Sequence, residues 1–199
     1  MSALLLRALL PWMLFVIAVA LIVALVLFIR WRRRRRARMK LQRAVTAVGT
    51  EHMIDALVPD GMGGGFHVDF LLFSGHGILI VDVREVQGNI FGGDQMAEWT
   101  VIDGAQRMTF VNPQSGLYDR IAAVKAIAGD VPIEGRVVFV RKCQFPKGLP
   151  KWALTLDALA VQFPPLETED AQAAALAQYR EAWERLRAAV RPSTMRHMR

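Results

Sequence analysis

A single cysteine, Cys143, stands among 199 residues, so an internal disulfide is excluded and a reducing compartment is expected. With only four histidines beside it, no Cys/His cluster of zinc-binding spacing can be assembled. The glycine-rich turn Asp60-Gly61-Met62-Gly63-Gly64-Gly65 is not followed by Gly-Lys-Ser/Thr, which argues against a phosphate loop. No Gly-x-Ser-x-Gly supplies a hydrolase nucleophile elbow. No small-molecule cofactor is therefore expected. Acidic side chains are missing from the first 43 residues altogether, and that absence shapes everything else about the charge. Nine of the 25 Lys and Arg lie in residues 30–43 and Arg7 is a tenth, which leaves 15 basic residues against all 18 acidic ones in residues 44–199. That region carries −3 and lacks the electrostatic footprint of a tight, non-specific nucleic-acid binder.

What is present begins with an apolar run. Ala8 to Ile29 holds 22 uncharged residues, all apolar but Pro11, and as a helix it would reach roughly 33 Å, about one hydrocarbon core. Pro11 falls in the first turns, where a missing N–H costs little. The segment Arg30-Trp31-Arg32-Arg33-Arg34-Arg35-Arg36-Ala37-Arg38-Met39-Lys40 follows at once, against Arg7 alone on the other flank. This bias predicts a single transmembrane helix with the N-terminus outside and the following domain cytoplasmic, Trp31 at the interface and anionic lipid against Arg30–Lys40. A cleaved signal would carry its positive charge before the apolar core and a small-residue site after it, the reverse of what stands here. The expected organisation is an anchor over residues 1–29, a basic juxtamembrane segment over 30–43, one α/β domain over 44–165, and a C-terminal amphipathic helix with a basic tail over 166–199.

Along the domain, Leu41, Ala44, Val45, Val48, Ile54 and Leu57 recur at helical spacing and predict a helix over 41–57, broken at Gly49. Phe66–Phe73 and Ile78–Arg84 are apolar runs joined by Ser-Gly-His-Gly, an antiparallel hairpin. With Gly75-His76 as a two-residue loop, paired positions sum to 151, which sets Asp69 opposite Asp82 and His67 opposite Arg84. Both faces of this hairpin are apolar, so both need cover. A second hairpin is expected around Asp103-Gly104, a helix over 114–128, a buried strand over Gly135–Val140 and a short strand over Leu159–Phe163. Leu176, Tyr179, Trp183, Leu186 and Val190 make one stripe on a closing helix, to be docked on the domain's own core or offered to a partner protein.

Two carboxylates facing each other across neighbouring strands repel. Asp69 and Asp82 suit a hard cation, Mg²⁺ or Mn²⁺, that could stabilise charge on a phosphoryl group. Arg84, two residues beyond Asp82, would hold a phosphate oxygen on the same face. The alternative is a buried ion-paired triad of Asp69, Arg84 and Asp82 with no ligand. His67 stands beside this group in that register and reads as structural.

Gly49-Thr50-Glu51, Val68-Asp69-Phe70-Leu71-Leu72, Ile80-Val81-Asp82-Val83-Arg84, Gly88-Asn89-Ile90-Phe91-Gly92, Trp99 and Asn112-Pro113, in that order, resemble the NERD (nuclease-related) domain over roughly residues 45–140. That family is similar to the PD-(D/E)xK nucleases. The resemblance implies a mixed sheet flanked by helices, a restriction-endonuclease-like core, and metal-dependent cleavage of DNA or RNA. It assigns Glu51, on the expected first helix, together with Asp69, Asp82 and Arg84 to catalysis. The sequence departs from the pattern in having Asp82-Val83-Arg84 for Glu-x-Lys, and a guanidinium that stays protonated cannot act as a base. Gly116 and Arg120 stand near the places of a polar Gln and His. Two readings remain open: a Mg²⁺-dependent nuclease at the membrane face, or a nuclease-like binding or scaffolding module without catalysis.

Overall fold

The computed structural model describes residues 2–193 of the chain; among these, the side chains of residues 2–11, 13–16 and 18 fall outside the description. Two compact units are present, Met1–Gln42 and Arg43–Arg199. The first consists of helix α1 (Ser2–Thr46), which continues into the start of the second. Its described apolar side chains, among them Leu21, Val23, Leu25, Leu27 and Phe28, are exposed on all sides of the helix. Among the described residues no helix is long and apolar enough to cross a membrane. The transmembrane span expected over Ala8–Ile29 is thus without support there. Its continuously described part, residues 19–29, extends only about 16 Å, roughly half a hydrocarbon core.

The second unit departs early from the expected helix over 41–57. The helix ends at Thr46, and Glu51 opens a strand, β1 (Glu51–Pro59), rather than lying on the first helix. The reason is non-local. Eight positions of β1, Glu51↔Phe73 through Pro59↔Gly65, pair antiparallel with β2 (Gly65–Ser74), and that ladder outweighs the weak helical spacing of Ile54 and Leu57. Strand β3 (Gly77–Arg84) returns from β2 in the expected register, with Ser74↔Gly77, Phe73↔Ile78 and Leu71↔Ile80 paired around Gly75-His76. Strands β4 (Gly88–Phe91), β5 (Glu98–Asp103) and β6 (Gln106–Val111) follow, the last two forming the second hairpin. Helix α2 (Pro113–Ala128) then leads to β7 (Ile133–Phe139), which pairs parallel with β3. After β8 (Cys143–Gln144) and β9 (Ala153–Thr155), helix α3 (Leu156–Gln162) stands where a short strand over Leu159–Phe163 was expected. Its register is helical because Asp157 falls in the first turn and Leu159 turns inward, while β9 has already taken the sheet edge beside β7. Helix α4 (Glu169–Ala189) and β10 (Arg191–Pro192) close the described chain. The start of the basic tail, expected to be frayed from Arg191 on, is instead a strand, since Arg191 and Pro192 pair with Leu57 and Ala56; residues 194–199 lie outside the described residues.

The result is a mixed α/β domain. Its main sheet has the order β10-β1-β2-β3-β7-β9, antiparallel from β10 to β3 and parallel from β3 to β9, and a second sheet has the order β6-β5-β4-β8. Helices α2 and α4 bury their apolar stripes in the core: Leu117, Val124 and Ala128 from α2, Trp183 and Leu186 from α4. Trp183 stacks on Phe73 at 5.3 Å between ring centroids. The stripe of α4 is therefore spent on the domain's own core. Gly135 lets α2 approach β7 closely, because a Cβ there would stand 2.8 Å from a Leu117 methyl and 2.9 Å from one of Ile121. Helix α2 is also fixed at its start. Pro113 occupies the first turn, and the Asn112 side chain accepts from the Gln114 N–H at 2.9 Å and donates to the Met96 carbonyl at 2.8 Å. This fixing matters because α2 carries Arg120 to the site described next.

Candidate functional site

The ladder between β2 and β3 pairs residues as far as Phe70↔Val81. The next positions in the same register are Asp69 and Asp82, and here the backbone pattern changes. The Val83 N–H donates to the Asp69 Oδ2 at 2.7 Å, a carboxylate oxygen in place of a main-chain carbonyl. Asp69 is thereby held rigidly, with 2 % of its surface exposed, and Asp82 beside it with 3 %.

Two buried carboxylates in contact need compensation, and two arginines supply it. Arg84 grips Asp82 with both arms of its guanidinium, Nη1 to Oδ1 at 3.1 Å and Nη2 to Oδ2 at 2.7 Å. The same Nη1 donates to the Val83 carbonyl at 3.0 Å. Arg120 comes from α2, its Nη1 3.8 Å from the Asp82 Oδ2 and its Nε donating to the His67 carbonyl at 2.6 Å. Burial pushes the Asp82 carboxyl above its ordinary value; Arg84 and Arg120 pull it down, and the neighbouring Asp69 pushes it up again. A fork-to-fork pair of this kind leaves Arg84 fixed in direction while its side chain remains 27 % exposed.

On the other side of Asp69, the pairs Ile54↔Phe70 and Ala56↔Val68 place Asp55 of β1 opposite it. Asp55 takes a left-handed backbone conformation, φ 51°, and its side chain is 44 % exposed. Asp55, Asp69 and Asp82 thus form a row across three adjacent strands. The imidazole of His67 sits between the first two, Nε2 3.7 Å from the Asp55 Oδ1 and Nδ1 3.8 Å from the Asp69 Oδ1. One ligand atom from each of Asp55, His67 and Asp69 lies within 4.8 Å of the others. Two carboxylates and an imidazole are a donor set that fits a divalent cation.

Of the residues singled out in the sequence, the structure brings Asp69, Asp82 and Arg84 together and leaves Glu51 apart. Glu51 lies four residues along β1 from Asp55, roughly 13 Å at strand rise. Its carboxylate is held by α4, by Arg180 and by the Trp183 Nε1–H at 2.9 Å. The Arg180 hydrogen bond, then that of Trp183, lowers its pKa from the ordinary 4.5. An open pocket of about 430 Å³, lined by Thr50, Glu51, His52, Met53, Trp183 and Arg187, flanks it. Asp55 and Arg120 are site members that the sequence reading did not assign. The signal for Asp55 is arithmetic: once residues 51–59 are a strand, pairs sum to 124 and Asp55 faces Asp69. The signal for Arg120 is its place near a polar position of the family pattern, but only the packing of α2 brings it to Asp82.

A family model, NERD, nuclease-related domain, matches residues 34–140, which contain the whole row and both arginines. Neither a curated protein nor a solved structure matches the chain.

Proposed function

Because the chain belongs to the nuclease-related domain (NERD) family, we propose that its Asp-rich row cleaves phosphodiester bonds of nucleic acid with the help of a divalent cation. The observation that supports the reading is the alternation across the sheet: carboxylates Asp55 and Asp69 with His67 at one end, Asp82 under two guanidinium groups at the other. The first end has the donors for a cation, which when bound supplies charge stabilisation at a phosphoryl group. At the other end Arg84, aimed by Asp82 and partly exposed, offers its remaining N–H groups to a non-bridging phosphate oxygen. In the overall reaction the oxygen of water adds to phosphorus, one ester P–O bond breaks and the departing oxygen takes a proton.

A second reading, a nuclease-like binding module without catalysis, is favoured by the same Arg84: it replaces a lysine of the family pattern and occupies both oxygens of Asp82. One assay separates the two. The full chain in mild detergent is incubated with labelled DNA and RNA oligonucleotides, with Mg²⁺, with Mn²⁺ and with chelator. The enzyme reading expects cation-dependent fragments that disappear in Asp69→Asn and persist or increase in Arg84→Lys. Retention of oligonucleotide without cleavage by either form would establish the binding module and overturn the enzyme.

We propose also that residues 8–29 hold the chain at a membrane, with the basic segment and domain on the cytoplasmic side. This rests on the uncharged run, on the exposed apolar surface of its described part, and on nine basic residues following it against one before. An apolar surface of that size, exposed all round a helix, calls for a cover that water does not provide.

A further inference from the structure

We infer that the cation is held by Asp55, His67 and Asp69, and that the site prefers a first-row transition dication such as Mn²⁺, Co²⁺ or Zn²⁺ over Mg²⁺. This assignment deepens the proposed function and rests on it. It differs from the pairing of Asp69 with Asp82, which the facing of two carboxylates suggests. Both oxygens of Asp82 accept from Arg84, a group that keeps its charge at every accessible pH. Asp82 is therefore matched in charge by Arg84 and serves to position it. The Asp69 Oδ2 accepts from the Val83 N–H, and its Oδ1 stands 3.8 Å from the His67 Nδ1.

The spacing supports a shared ion. One donor atom from each of Asp55, His67 and Asp69 lies within 4.8 Å of the other two. Two ligands each about 2.1 Å from one ion stand roughly 3 to 4.2 Å apart, according to the angle between them. The ion takes one of the two ring nitrogens, and either suits a metal when the imidazole is neutral. Geometry also explains the access route: Asp69 and His67 are buried while Asp55 is nearly half exposed, so an ion can enter past Asp55 and keep waters on that side. The preference follows from donor chemistry. Mg²⁺ takes oxygen ligands almost exclusively, whereas imidazole nitrogen favours Mn²⁺ to Zn²⁺ in the order of rising affinity for nitrogen ligands.

The test reads metal binding directly, apart from turnover. The full chain in detergent is titrated with Mn²⁺, Zn²⁺ and Mg²⁺ while its melting temperature is followed, and with Co²⁺ while its visible absorption is recorded. Wild type is expected to bind the transition ions at least tenfold more tightly than Mg²⁺. His67→Gln and Asp55→Asn are each expected to weaken Mn²⁺ binding tenfold or more, whereas Asp82→Asn keeps it within about threefold while losing cleavage. If His67→Gln fails to fold, the wild-type chain still decides: spin-echo modulation from an imidazole ¹⁴N coupled to bound Mn²⁺ is expected, and its absence refutes the ligand set. Loss of binding in Asp82→Asn with full binding in His67→Gln would return the ion to Asp69 and Asp82 and leave the nuclease reading intact. Binding that follows the expected pattern without any cleavage would keep this site and remove the enzyme. No binding of any of the four ions would overturn the site.

Discussion

Removing Arg84 from above Asp82 strands a carboxylate that is only 4 % exposed at its side chain. Breaking one partner of a buried ion pair costs about 3–5 kcal/mol, because the remaining charge keeps its desolvation penalty. Two features of the site limit the loss in Arg84→Ala. Arg120 stays 3.8 Å away and retains part of the Coulomb attraction. The carboxylate can also escape by protonation. Starting from an ordinary value of 3.8, that escape at pH 7 costs about 4.4 kcal/mol at 1.36 kcal/mol per unit, which caps the loss. At pH 5 the cap falls to about 1.6 kcal/mol. The sign agrees with the wild-type environment: burial raises the Asp82 pKa, so this group favours the fold at low pH and loses that contribution as pH rises through its folded value. Arg84→Ala is therefore expected to lose about 3–4 kcal/mol at pH 7, or roughly 6–15 °C of melting temperature, and less than half of that at pH 5. The measurement is thermal unfolding of the full chain in detergent with chelator, followed by tryptophan fluorescence. Arg84→Ala combined with Asp82→Asn should recover at least half the loss, since the stranded charge is gone. A loss below about 1 kcal/mol at pH 7, or one that does not shrink on acidification, would refute the account.

Three further outcomes follow from contacts elsewhere in the chain. Glu51→Gln removes a partly exposed pair with Arg180 and should cost only about 0.5–1 kcal/mol at neutral pH; because the Glu51 pKa is lowered, its contribution is present above about 4.5 and vanishes as pH falls, so the melting curves of the two proteins should converge in acid. Gly77→Ala places a Cβ 2.2 Å from the Pro132 carbonyl oxygen in a residue of φ 101°, and should cost about 2–4 kcal/mol, read as a fall of roughly 5–15 °C. A reporter fused after Arg199 should be active only in the cytoplasm, and neutralising Arg32 to Arg36 should scramble its orientation.

The hairpin was legible because its information is local: two apolar runs, a glycine-bearing turn of two residues, and a register that follows by counting. Helix α4 was legible for a similar reason, its stripe from Leu176 to Val190 being a property of one segment. Strand β1 was not. Glu-His-Met-Ile-Asp-Ala-Leu has one β-branched residue and weak helical spacing, and its state is decided by pairing with β2, which no local signal announces. The error carried into the site. With residues 51–57 read as helix, Glu51 looked available and Asp55 could not be placed beside Asp69. In the folded chain their places exchange, Glu51 being held by Trp183 and Arg180 from more than 120 residues away, while Asp55 stands in the row beside Asp69.

The arginine at position 84 gives that exchange a chemical reason. A lysine after an acid-x motif is a single point charge that engages one carboxylate oxygen and can give up its proton when desolvated. Arginine does neither. Its fork matches both oxygens of Asp82 at once, and its charge does not depart, so the pair is permanent on the time scale of substrate binding. Asp82 is then matched by a cation of its own, and the other carboxylates of the row are Asp69 and, one strand further from the arginines, Asp55. With Asp82 matched by Arg84, the positive charge of Arg120 is shared over 3.8 Å, and the carboxylates of Asp55 and Asp69 stand further along the row with the His67 imidazole between them. An ion bound there, as proposed, would have carboxylates on its own side and two guanidinium groups on the other. A phosphodiester, itself anionic, would on this proposal be drawn to the arginines and to such a cation. On the proposed reading, the arginine at position 84 thus moves the cation along the row and keeps the charge separation that cleavage of a phosphodiester would require.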